Sequence, residues 1–261
     1  MQDIEFSIIS LRSQEARRRN MVAQMESFQL PWTLFDARTS ENPPIPYSEA
    51  EAALDWRGPL TPGEIGCFAS HYACLTEFVE QPKARYRIVI EDDVQLDPGF
   101  WYDRLPGLLD ACGLDYLRLY AKFPFKHRTI AIFGQHYIIR YRSGPLGTQG
   151  YVISQEGARR FLKSVERISR PVDWEIDRYW NHGLPPYTLG PHPLFEKVQR
   201  STIKKIKPKE FPASAMQSLQ RRIRLDLGRS QRQIEHFRLF ARDRRLRKDL
   251  LAWWAQAALE G

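Results

Sequence analysis

Cysteine is scarce in this 261-residue chain: three residues, Cys67, Cys74 and Cys112, an odd count that supports no disulfide framework. Cys67 and Cys74 fall on a helical stretch where they would stand about 10 Å apart, beyond disulfide reach. Their spacing is not that of a zinc site either, so they are expected as small hydrophobes in a reducing compartment. No stretch attains the roughly 18–20 uninterrupted apolar residues that would span a bilayer. Met1-Gln2-Asp3-Ile4-Glu5 leads straight into an apolar strand pattern, without the charged, hydrophobic and small-residue sections of a secretion signal, which sets the expectation of a cytoplasmic protein. Internal repeats are missing. So is a Gly-x-x-x-x-Gly-Lys-Ser/Thr loop, which counts against a P-loop phosphoryl transferase.

What is present can build a sizeable core: 43% of residues are hydrophobic and 12% aromatic, enough for one domain of about 200 residues with an appendage. The formal charge of +8 is unevenly spread. Residues 200–261 hold 16 Lys/Arg against 6 Asp/Glu, leaving 23 against 25 in residues 1–199, so the basicity belongs to the tail.

Along the chain, Ile4–Ser10 reads as a strand followed by a helix over residues 14–25 capped by Ser13. Trp32–Ala37 is a second strand and Pro43–Pro46 a loop. Thr61-Pro62-Gly63-Glu64 has the signature of a helix start, Thr as cap, Pro first and Glu third, with the helix running to about Glu80. Arg87–Ile90 is an apolar strand ending in Glu91-Asp92-Asp93, and Asp97-Pro98-Gly99-Phe100 reads as the capped start of another helix. Strands over 115–120, 129–133, 137–141 and 147–154 and a helix over 155–165 complete an alternating α/β pattern with some antiparallel additions. Lys204–Lys209 reads as a solvated linker, dividing a domain over residues 1–203 from a basic helical extension over 204–261.

Glu91-Asp92-Asp93 carries the strongest chemical signal. In an extended strand exit residues 91 and 93 point the same way, and two converging carboxylates repel unless a cation sits between them. In open α/β sheets the ligand crevice lies outside the carboxyl ends of the strands, where this trio falls, and a divalent ion shared with a nucleotide diphosphate would suit it. The plainer alternative is a solvated acidic turn.

Five pieces of sequence give that trio its context: Ile9-Ser10-Leu11-Arg12 with Arg17-Arg18-Arg19; Leu60–Cys67 with Ser70-His71; Ile88–Val94; Gly147–Ser154 with Gly157-Ala158; and Pro171-Val172-Asp173. In this order and spacing, over about residues 4–203, the sequence resembles glycosyltransferase family 25, the lipooligosaccharide-type galactosyltransferases. The resemblance implies an A-type glycosyltransferase fold, a Rossmann-like nucleotide-sugar-binding sheet. It also implies a UDP-sugar donor, often UDP-galactose, inversion at the anomeric carbon, and an acidic trio acting as the family's Asp-X-Asp metal motif. The acceptor it implies is a lipopolysaccharide or lipooligosaccharide glycolipid. Family members often carry Asn where Ser10 stands, and Pro191–Phe195 matches only loosely.

Inversion needs a base for the acceptor hydroxyl and a cation for the departing diphosphate. The expected cation, Mn²⁺, is assigned to Asp93 and Glu91, with His192 as third ligand or else a plain turn histidine, and Asp92 is left for the ribose. Asp173 is the first candidate base and Asp177 the second, the alternatives being a cap and a surface ion pair. Ser10, Arg12, Glu64, Ser70, His71, Gly147, Thr148 and Gly150 are assigned to the donor pocket. For Glu64 a capping box, for His71 a hydrogen-bonded core histidine, and for the glycines close approach of a neighbouring loop are the competing roles.

The tail interleaves arginines with Ile, Leu, Phe and Trp253-Trp254, which suits a helix lying on an anionic membrane with Trp at the interface. The expectation is peripheral attachment at the inner membrane, where a glycolipid acceptor resides. A helix packed on the catalytic domain and an arginine-rich arm binding nucleic acid are the alternatives; no nucleic acid is expected, since the remaining 199 residues are slightly acidic and carry no recognised nucleic-acid motif.

Overall fold

Ile4, Phe6 and Ile8 alternate with Ser7 and Ile9 in a strand buried on both faces, the pattern of a central strand covered on each side. The computed structural model, which describes residues 2–56, 58–123, 125–197, 215–257 and 259, builds the fold around it. In chain order come β1 (Gln2–Ser10), α1 (Glu15–Met25), β2 (Trp32–Asp36), α2 (Glu49–Asp55), α3 (Pro62–Glu80), β3 (Ala84–Glu91) and β4 (Val94–Leu96). Then follow α4 (Leu105–Cys112), β5 (Tyr116–Arg118), β6 (His127–Phe133), β7 (His136–Tyr141), β8 (Gly150–Ser154) and α5 (Gln155–Ser164). The short α6 (Val172–Ile176) and α7 (Tyr179–His182), β9 (Tyr187–Gly190), β10 (Leu194–Glu196) and the 43-residue α8 (Ala215–Ala257) complete the order.

Eight strands form one mixed sheet in the order β2-β1-β3-β8-β5-β9-β7-β6. β1 pairs in parallel with β2 and β3, and β8 joins β3 antiparallel. Side chains alternate across the sheet, so Phe6, Ile8, Ile88 and Ile90 enter one core with α1 and α4, while Ile9 and Val89 enter the other with α3 and α5. The α/β expectation holds, and α3 begins as read. Thr61 accepts from Glu64 N at 3.2 Å and Glu64 Oε2 accepts from Thr61 N at 2.8 Å, a complete capping box.

Two local readings are corrected. α1 is preceded by Gln14 with no side-chain cap, so Ser13 does not cap it. No helix starts at Pro98: Asp97 accepts from Gly99 N at 2.9 Å in a tight turn, and α4 begins only at Leu105. The reason is tertiary. Tyr102, which opens a short 3-10 turn over Tyr102–Arg104 just before α4, is held in an aromatic cluster with Phe6 and Phe28, at ring separations of 5.3 and 5.4 Å.

α8 is as helical as expected, but the inner face of its second half is core. Leu239, Leu246 and Leu250 are buried, and Arg140 on β7 donates to both oxygens of buried Asp243 at 2.9 and 2.7 Å. Trp253 and Trp254 do not face outward as the membrane reading placed them. They pack on Trp101 at 6.0 and 6.1 Å and cover Gly107 and Gly134, where a Cβ would come within 3.1 and 2.7 Å of the indoles. Their apolar area is better sheltered by Phe133 and Trp101 than by solvent. α8 also covers β6, the edge of the sheet. The linker Lys204–Lys209 and the expected domain boundary lie outside the described residues.

Candidate active site

The parallel arrangement of β1, β2 and β3 directs their carboxyl ends to one side, and a cleft of about 300 Å³ opens there. Ser10 and Leu11 from the exit of β1, Arg38–Ser40 after β2, and Glu91, Asp92 and Asp93 from the exit of β3 line it. The opposite wall is the first part of α3, with Pro62, Gly63, Gly66, Cys67, Ser70 and His71. Gly66 lets the helix approach closely, since a Cβ there would lie 3.0 Å from Arg38 O.

The acidic trio divides into three environments. Asp92 is held, accepting from Ser10 Oγ at 2.6 Å and Arg17 Nη1 at 3.0 Å. Glu91 Oε1 accepts from Thr148 Oγ1 at 2.7 Å and faces His71 Nε2 at 3.4 Å, while His71 Nδ1 lies 3.0 Å from Tyr151 Oη. With Glu91 ionised, Nε2 carries the histidine proton and Nδ1 accepts from the tyrosine. Burial pushes the Glu91 carboxyl up, but His71 and Thr148 outweigh it and the net shift is downward. Asp93 has no such support: its Oδ1 is buried and has no hydrogen-bond partner among the described residues. Burial first, and Glu91 second, push its carboxyl up to about 7.

The loop between β7 and β8 is fastened beneath this trio. Arg118, fully buried on β5, donates to Gly147 O at 2.5 Å and to Asp177 Oδ1 at 2.6 Å, and Asp177 Oδ2 accepts from Leu146 N at 3.0 Å. Gly147 adopts φ +81°, which a side chain would strain, and its N–H reaches Asp173 Oδ2 at 3.3 Å. Asp177 thus has one oxygen on a buried guanidinium and the other on the Leu146 amide, whereas the two oxygens of Asp173 accept only backbone amides, from Trp174 and Gly147; neither residue belongs to the cleft lining. Asp173 is half-buried with its carboxyl raised, chiefly by burial, and Glu91 adds to the shift.

Several expected donor residues have other work. Arg12 is exposed and paired with Asp36 at 2.6 Å, outside the cleft lining; hydrogen bonds from Arg12 and Arg18 pull Asp36 down to about 2. Glu64 is committed to its capping box. Gly150 is small because Leu194 packs on it, a Cβ coming within 1.8 Å of Leu194 Cδ1. Ser70 lines the cleft while accepting from Arg38 N at 2.8 Å and donating to Gly66 O at 2.6 Å. His192 is outside the cleft lining; Nδ1 donates to Leu189 O at 3.0 Å and the ring sits 6.0 Å from Tyr120. Sequence reasoning missed Arg17 and Arg118 as working residues. Arg17 finds Asp92 75 residues away, and Arg118 finds Asp177 59 residues away.

A hard divalent cation fits the Asp93 side of the cleft. It takes oxygen ligands, and an unpartnered buried carboxylate oxygen beside a second carboxylate is the environment a positive charge relieves. Cys67, His71 and Glu91 also converge, with ligand atoms within 4.8 Å of one another. The two softer members of that group do not suit a hard cation: both ring nitrogens of His71 are engaged, by Tyr151 and Glu91, and burial holds the Cys67 thiol well above its ordinary value.

Residues 3–105 and 114–176 match the family described as glycosyltransferase family 25 (LPS biosynthesis protein). The lacto-N-neotetraose biosynthesis glycosyltransferase LgtE of Neisseria gonorrhoeae is 28% identical over 200 residues, 70% of this chain and 71% of that protein. A probable inactive glycosyltransferase 25 family member 3 of Rattus norvegicus is 28% identical over 173 residues, 61% of this chain but only 30% of its own length. A family member from Anopheles gambiae is 33% identical over 120 residues, 44% of this chain, and the match covers 20% of its length. Among solved structures, a glycosyltransferase involved in glycosylation of the major capsid of PBCV-1 superposes at a TM-score of 0.36, with 9% identity over 62% of this chain and 65% of that one.

Proposed function

The chain belongs to glycosyltransferase family 25, and from that premise we propose that it transfers a sugar, galactose by family resemblance, from a UDP-sugar to a lipooligosaccharide or lipopolysaccharide acceptor, with inversion and with a divalent cation, Mn²⁺. Membership alone does not supply activity, since relatives described as inactive share the family. The observation that carries the reading is Asp93: a buried oxygen without a partner among the described residues, lining a cleft built on the carboxyl ends of parallel strands.

In this reading Asp93 and Glu91 hold the cation, which when bound offsets the charge of the leaving diphosphate. His71 and Thr148 keep Glu91 ionised and oriented. Arg17 and Ser10 fix Asp92 at the ribose side of the cleft. Asp173 takes the proton of the acceptor hydroxyl: its raised carboxyl is a stronger base than a free aspartate, and the Gly147 and Trp174 amides, at 3.3 and 2.9 Å, orient it. Arg118 and Asp177 keep the 144–148 loop under both groups.

The acceptor of such a transfer is anchored in a membrane, and an anionic membrane surface is the proposed partner of the basic α8. No described helix is long and apolar enough to cross a bilayer, so this attachment would be peripheral.

The test is nucleotide release from UDP-galactose, UDP-glucose and UDP-N-acetylhexosamines in turn, with Mn²⁺ or chelator. Manganese-dependent release from one donor, lost in Asp93→Ala, is the expected outcome. Absence of release and of calorimetric binding for every donor, with RNA retained instead, would transfer the weight to the tail as a nucleic-acid arm.

A further inference from the structure

The two faces of α8 differ. The inner one carries Leu239, Asp243, Leu246 and Leu250 against the sheet. On the other, Met216, Leu219, Ile223, Leu227, Ile234 and Phe237 are each at least half exposed. At about 100° per residue these six fall within roughly 80° of one another, a single apolar stripe some six turns long. Past Phe237 the same side of the helix continues as Arg238, Arg244, Arg245 and Lys248, all exposed. α8 as a whole holds 11 Lys/Arg against 4 Asp/Glu.

We propose that this outward stripe of α8, and not the Trp253-Trp254 end, is the surface that docks the protein on an anionic lipid bilayer, apolar side chains entering the interface and the cationic end meeting headgroups. This rests on the membrane-anchored acceptor of the proposed function and deepens it by naming the face. Charge decides the occupant. A second copy of the stripe would bring two strongly basic helices together, and the sequence preceding α8 adds Lys204, Lys205, Lys207 and Lys209. An anionic surface answers that charge. An RNA would answer it too, but would leave six aliphatic and aromatic side chains in water, whereas a bilayer takes up both halves of the face. Arg224 also anchors the first half of α8 to Glu51 at 2.6 Å and Asp55 at 3.1 Å, and Asp55 pairs with Arg170 at 2.8 Å. The docking face is thereby tied to the segment that leads into α6 and Asp173.

The experiment is cosedimentation of the full chain with vesicles of phosphatidylglycerol and phosphatidylethanolamine, and with phosphatidylcholine alone, alongside transfer to a soluble acceptor sugar. Wild type is expected on the anionic vesicles and not on phosphatidylcholine. The triple variant Leu219→Ser/Ile223→Ser/Phe237→Ser is expected to lose at least tenfold in vesicle affinity while keeping its circular dichroism and its transfer to soluble acceptor. Arg244→Ser/Arg245→Ser/Lys248→Ser is expected to lose the preference for anionic lipid. Wild type that ignores anionic vesicles, a triple variant that binds them as wild type does, a dimer that the triple variant dissolves, or RNA retention unaffected by the apolar changes would each overturn the proposal. Soluble transfer is read separately, so failure of docking is distinct from failure of the transferase reading.

Discussion

Asp93 and Asp243 are the same residue in opposite circumstances. Asp243, on the inner face of α8, is 2% exposed and accepts from Arg140 twice and from Tyr187 at 2.9 Å, so its charge is answered by three hydrogen bonds. Asp93, in the cleft, keeps a buried oxygen with no hydrogen-bond partner among the described residues, next to Glu91. A satisfied buried carboxylate fastens one element to another; an unsatisfied one at the end of a parallel sheet is held in an unfavourable state that a cation relieves. The difference separates architecture from chemistry more sharply than burial or residue type does.

Breaking the comparison at the cleft gives the largest effect. Asp93→Asn should lower transfer by about a thousandfold, or ~4 kcal/mol of transition-state stabilisation, in steady-state assays with saturating Mn²⁺. The same change should not destabilise the fold. Asp93 titrates near 7 when folded against an ordinary 3.8, so the native state binds the extra proton between those values and stability falls as pH rises through that window. Removing the charge should therefore raise Tm at pH 8, by about 2–4 °C for each kcal/mol recovered, and leave it unchanged at pH 3. By the same titration, cation affinity should rise with pH up to about 7 and level off above it, which a Mn²⁺ titration across pH 5.5–8.5 would read.

At the other pole, Asp243→Ala strands Arg140 and should cost about 3–5 kcal/mol in urea unfolding, while the folded fraction still binds donor. Between the poles lies Asp173→Asn, expected to lower kcat by about a hundredfold or more with little change in donor KM. The smallest effect sharpens the boundary of the site: Glu64→Ala removes half of a capping box, about 1 kcal/mol of stability, and should leave donor affinity unchanged in calorimetry. A large loss of donor affinity there would return Glu64 to the pocket.

How far the sequence could be read follows the range of the interactions involved. α3 was legible to its ends because Thr61, Pro62 and Glu64 act on one another within a single turn. β3 and its acidic exit were legible because an apolar run stopping at three carboxylates is a local pattern. The start of α4 was not, because Tyr102 answers to Phe6 and Phe28 rather than to its neighbours. Arg118 with Asp177, and Arg140 with Asp243, are pairs 59 and 103 residues apart that no spacing announces. The tail shows the same limit: its basic, amphipathic helix was plain, but which face packs and which stays in water was fixed by Trp101, Phe133 and Gly134 far upstream.

The most direct test of the central claim is calorimetric titration of UDP into wild type and Asp93→Asn, each with Mn²⁺ and with chelator. Saturable binding to wild type that needs Mn²⁺ and disappears in Asp93→Asn, with its fold retained and its Tm not lowered, is the predicted result. Binding that survives both the chelator and the substitution would contradict it and leave Asp93 without the role its unpartnered oxygen suggests.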